Sequence, residues 1–189
     1  RGIRMNDLLL NLILTLDASF RVCTPLIFAS MAGLFAERSG VVDIGLEGKL
    51  LMSAFIAASA ASFFGSAWIG LLFAIFASCI FAMVHGLASI TFKGNQIVSG
   101  VAINILASGL TMILTLAWFK SGGITPNLKG DERFLSITLP GVDIIDHIPI
   151  LGVIYRELIS GHNILVYLAF ATVPLVWWVV YRTRFGLRL

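Results

Sequence analysis

Charge is scarce in this chain. Asp, Glu, Lys and Arg make up 12% of it, where soluble globular domains carry roughly 25%. None of the four occurs from Leu50 to Phe92, from Gly94 to Phe119, or from Leu158 to Tyr181. That excludes an ordinary soluble domain, which needs far more polar surface. Cysteine is nearly missing too. Cys23 and Cys79 both lie in apolar segments with no CxxC partner and no neighbouring histidine set, which favours buried thiols over a disulfide or a metal site. The formal charge of +3 is spread out, and no basic stripe with interleaved aromatics is present, so nucleic acid is not an expected partner. There is no GxxxxGK[ST] run to cradle ATP, no HExxH, no GxSxG and no TVGYG filter. The chain does not read as an enzyme, and no catalytic residue, cofactor or metal is expected.

What is present is hydrocarbon. Apolar residues make up 58% of the chain, and the mean hydropathy is +0.97. A helix of roughly 20 apolar residues crosses a bilayer, so the uncharged stretch from Leu50 to Phe92 has room for two crossings. The pattern predicts an all-α, polytopic transmembrane helical bundle with a discontinuous or re-entrant segment. Spans are expected at 18–36, 50–64, 67–90, 97–119 and 164–181. The polar stretch 121–163 reads as a long aqueous loop, with a short helix near Val153 to Ile159. Leu8 to Leu16 is too short to span alone and reads as an interfacial helix or the tail of a truncated one. Arg182, Arg184 and Arg188 form the densest basic cluster, and the positive-inside rule puts this segment in the cytoplasm. Counting back, loop 121–163 is extracytoplasmic and Lys93 is inside.

The polar interruptions are where function is sought. Glu37 to Lys49 mixes five charged residues with Gly40, Gly45 and Gly48 between two apolar segments. It fits either a solvated loop or a segment folded back toward the membrane with its polar ends in an aqueous vestibule. Asn95 reads as an N-cap. Asn104, deeper in its span, faces either another helix or the translocation path. His85 lies in an otherwise apolar span, where a backbone carbonyl or a neighbouring helix is its expected partner. Trp68, Trp118, Trp177 and Trp178 fall near span ends, as interfacial rings do.

Three separated blocks carry a family resemblance. The run from Gly33 through Glu37-Arg38-Ser39-Gly40 to Gly45-Leu46-Glu47-Gly48 resembles the signature stretch of ABC-transporter permeases for nucleosides and simple sugars, a branch related to ribose and branched-chain amino-acid permeases. Asn95-Gln96-Ile97-Val98-Ser99-Gly100 with Asn104, and Tyr181-Arg182-Thr183-Arg184-Phe185-Gly186-Leu187-Arg188, resemble two further blocks in the same order. Asp43 departs from the pattern, since most members have Asn there. The resemblance implies a permease subunit of a binding-protein-dependent importer, working by alternating access in the bacterial inner membrane. It implies a second permease subunit, a cytoplasmic ABC ATPase that hydrolyses the ATP, and a periplasmic or lipoprotein solute-binding protein as partners, in a lipid bilayer. By carry-over, Glu37, Asp43, Glu47 and Asn104 are candidates for lining or gating the path, and Arg182, Arg184 and Arg188 mark the cytoplasmic side. On this resemblance the chain is expected to be the N-terminal part of a longer permease. An ion-coupled secondary transporter or channel subunit, or a permease for another small polar solute, are the alternatives.

Overall fold

The computed structural model describes residues 2–137, 155 and 160–189, with side chains described from residue 11 onward. Helices account for nearly all of its regular structure. They are α1 (Gly2–Arg38), α2 (Leu46–Phe64), α3 (Ala67–Gly86), α4 (Gln96–Phe119), α5 (Ile164–Arg182) and the short α6 (Arg184–Arg188). Five of them are long and apolar enough to cross a membrane. The chain is an all-α, multi-pass membrane protein. Apart from Tyr155, the segment Val153 to Ile159 lies outside the described residues.

Each boundary has a local cause. Leu8 to Leu16 is not a separate element: it continues without interruption into α1, which keeps Pro25 inside it. The α1 helix ends where Ser39 and the left-handed Gly40 (φ 81°) turn the chain. Gly65, also left-handed, closes α2 by donating its N–H to Ala61 O at 2.8 Å. The α3 helix passes into a π-helical turn at Leu87–Thr91, so the membrane segment is discontinuous there. Such turns leave backbone groups to be re-satisfied; here the Ser89 hydroxyl donates to His85 O at 2.7 Å. Asn95 caps α4, its Oδ1 accepting the Ile97 and Val98 N–H groups at 2.9 and 3.3 Å.

The chain folds as two compact units, Arg1–Phe28 with Phe134–Gly186, and Ala29–Arg133 with Leu187–Leu189. In the second unit α2 is the innermost span: 39% of its apolar window is buried, against 22% or less for every other span. Met52 and Phe55 of α2, Phe81 of α3, and Ile103 and Ala107 of α4 form its core. The remaining large apolar side chains are mostly exposed, as a helix surface bathed by lipid tails requires. For the same reason the expectation of buried thiols fails. Both cysteines are free, Cys79 is exposed and Cys23 only partly covered. An apolar segment in a bilayer has no need to turn its thiol inward.

In the first unit, residues 136–137 pair with residues 161–163. Ser136 and Asn163 form an antiparallel bridge. Ile137 N–H donates to His162 O at 2.9 Å and Gly161 N–H to Ile137 O at 3.1 Å. Asn163 then caps α5 by accepting the Val166 N–H.

Candidate functional site

The break between α1 and α2 is held on α4 by side-chain amides. Val42 N–H donates to Gln96 Oε1 at 2.7 Å. Gly48 N–H donates to Asn104 Oδ1 at 2.7 Å, while Asn104 Nδ2 donates to Ile44 O at 3.2 Å. The first turn of any helix leaves N–H groups without intrahelical partners. Gly45 stands at the N-cap of α2 and has no side chain to serve them. Asn104 supplies the missing cap from another helix.

That arrangement needs contact distance between the backbones. A Cβ on Gly48 would lie 2.8 Å from Asn104 Cα, and one on Gly100 would lie 2.9 Å from Gly45 N. Only glycine fits at either position without displacing α2 from α4.

The break also carries a charged cluster centred on Asp43. Asp43 accepts the Gly45 N–H on Oδ1 at 3.1 Å and pairs through Oδ2 with the Lys49 ammonium. Lys49 is buried in the first turn of α2. His85 Nε2 of α3 lies 3.9 Å from Asp43 Oδ1 and makes no hydrogen bond, while His85 Nδ1 is hydrogen-bonded to Ser99 Oγ of α4 at 3.1 Å. One carboxylate thus meets α2 and α3, and His85 links it onward to α4. Removing one member of a buried ion pair leaves its partner uncompensated and costs about 3–5 kcal/mol, so Asp43 and Lys49 are bound to each other energetically as well as spatially.

Of the candidate path residues, Asp43 and Asn104 are both built into this break. Glu37, in the last turn of α1, and Glu47, in the first turn of α2, are exposed and stand outside the cluster. Arg182 packs over the Trp177 ring, 5.8 Å from its centroid; Arg184 and Arg188 lie on α6. Lys49, Gln96 and His85 were not among the candidate site residues, although the unusual Asp43 called for a nearby cation and Lys49 is the nearest one C-terminal to it in the sequence. A second cluster, in the other unit, also escaped the sequence. Asp17 pairs with Arg21 at 3.0 Å and lies 3.5 Å from His162 Nδ1, with Phe20 and Tyr167 edge-on to the His162 ring.

These features define a class: a helical membrane protein whose polar, glycine-dependent break is bonded onto a neighbouring span. Residues 15–189 match the family described as branched-chain amino acid transport system / permease component, and the chain belongs to that family. It is 35% identical over 189 residues to the guanosine ABC transporter permease protein NupQ of Bacillus subtilis, covering 97% of this chain and 56% of that protein. It is 34% identical to the nucleoside ABC transporter permease protein NupC of Lactococcus lactis, covering 88% and 51%. A Haloferax volcanii protein provisionally named a glucose ABC transporter permease, TsgC13, is 32% identical, with 92% and 50% covered. The chain spans about half the length of these relatives. No solved structure matches it.

Proposed function

We propose that this chain is part of the permease subunit of an ABC importer that carries nucleosides or simple sugars into the cytoplasm. The observation that carries the reading is the break at 39–45, bonded to α4 through Gln96 and Asn104 and to α2 through the Asp43–Lys49 pair, in a member of the permease family. Non-helical backbone is tolerated at membrane depth where protein groups serve it, and here Gln96, Asp43 and Asn104 serve the Val42, Gly45 and Gly48 N–H groups. The permease performs no covalent chemistry. It offers the solute alternately to the two faces, and a cytoplasmic ATPase and a solute-binding protein bias that equilibrium. Asp43 and Asn104 position the break, and Glu37 and Glu47, at its exposed ends, line the approach to it. Arg182, Arg184 and Arg188 lie on the cytoplasmic side and loop 121–163 on the other.

The relatives that handle guanosine, nucleosides and glucose by name all concern neutral, hydroxylated solutes, which supports that class over amino acids. A second reading, an ion-coupled transporter, draws on the buried Lys49 and His85 with the partly buried Asp43 between them, since ionisable groups at membrane depth also serve proton relays. Calorimetry on the cognate solute-binding protein tests the substrate class. Guanosine or glucose should bind and L-leucine should not; binding of leucine alone would overturn it.

A further inference from the structure

Between α2 and α4 lies a groove of about 390 Å³, lined by Phe55, Ser108, Thr111, Met112, Thr115 and Thr125 among others. Small-molecule sites occupy roughly 300–1,000 Å³. Its floor is firm: Phe55 and Thr115 are 6% and 2% exposed, and Phe55 stacks on Trp118 with ring centroids 5.7 Å apart. Its α4 wall is polar in a regular way. Ser108, Thr111 and Thr115 follow Asn104 at helical spacing, so one face of α4 carries polar groups in series from the break into the groove. The Thr111 hydroxyl donates to Ser108 O at 3.0 Å and the Thr115 hydroxyl to Thr111 O at 2.5 Å. Those bonds use the donors and leave lone pairs free to accept. The exposed Ser108 hydroxyl adds a donor. Among the described residues that line the groove, none is charged.

We propose that this groove is a contact site for the transported solute, taking neutral hydroxylated molecules such as nucleosides or sugars and rejecting amino-acid zwitterions. The inference rests on the importer reading and adds to it a place and a selection rule. Hydroxyls acting as acceptors match the O–H and N–H groups of a sugar or a base, and the Phe55 ring gives the carbon face of either an apolar bed. A zwitterion would have to shed water from two full charges and find no counter-charge there, which is costly.

The test uses the full-length permease in its complete transporter, reconstituted in vesicles with Cys23, Cys79 and any other native cysteine replaced by serine and with Ser108→Cys. A thiol reagent should label position 108. Guanosine or glucose, whichever is transported, should slow that labelling severalfold and saturably as its concentration rises, as occupancy of the groove requires. L-Leucine at the same concentration should leave it unchanged. In the unlabelled transporter, Thr111→Val or Thr115→Val should raise KM for the neutral solute about 2- to 10-fold with kcat held, the loss of one hydrogen bond. ATP-driven uptake without protection or a KM change removes the site and keeps the importer. Failure of both neutral solutes to be taken up removes both.

Discussion

At the residue scale the strongest dependence is between Asp43 and Lys49. With Lys49 buried and paired to a partly buried Asp43, Lys49→Met should destabilise the full-length permease by up to about 3–5 kcal/mol, and Asp43→Asn should also be costly because it strands the ammonium. The double variant Asp43→Asn with Lys49→Met should recover most of the loss. Thermal unfolding in detergent reads all three, and a double variant no better than the worse single one would show that the pair is not coupled. Asn104→Leu leaves the Gly48 N–H and the Ile44 carbonyl without their partners, costing about 1–3 kcal/mol by the same assay. The sequence pointed to Asn104 and to the odd Asp43, because a polar group in an apolar run has to be explained. It did not point to His85 as their neighbour. His85 stands 42 residues beyond Asp43, and the chain passes through all of α2 and most of α3 before the fold brings them within 3.9 Å. Asp17 and His162 are further apart still, and no local pattern links them.

At the element scale, glycine sets how closely α2 and the break approach α4. Gly48→Ala should force the two helices apart or the Asn104 side chain aside, an overpacking cost of about 1–3 kcal/mol. A lowered melting temperature with a weakened Asn104 cap is the expected result; a fully stable Gly48→Ala protein would mean the helices are less closely apposed. The apolar runs announced the helical class plainly, since few soluble folds leave so long a stretch uncharged. Composition said less about element boundaries. Leu8 to Leu16 looked too short to stand alone and proved to be the upstream part of α1. The π-turn at Leu87–Thr91 left no mark in the sequence, because it depends on how the Ser89 hydroxyl and the backbone share their bonds. Nor could hydropathy say which face of α3 turns outward, which is why Cys79 was expected inside and lies outside.

At the scale of the whole molecule, orientation depends on a few basic residues. Arg182→Glu combined with Arg184→Glu should disturb insertion or assembly if, as proposed, these charges hold this end in the cytoplasm. A cysteine placed at Lys93 should react with an impermeant thiol reagent only from the cytoplasmic side, and one at Ser121 only from the opposite side. The reverse pattern would invert the topology.

Transport itself is the most direct test of the account. The full-length transporter, reconstituted with its ATPase and solute-binding protein, should take up guanosine or glucose only when ATP and the binding protein are both supplied, and a protonophore should leave the initial rate unchanged. Uptake that continues without ATP and collapses with the proton gradient would contradict it.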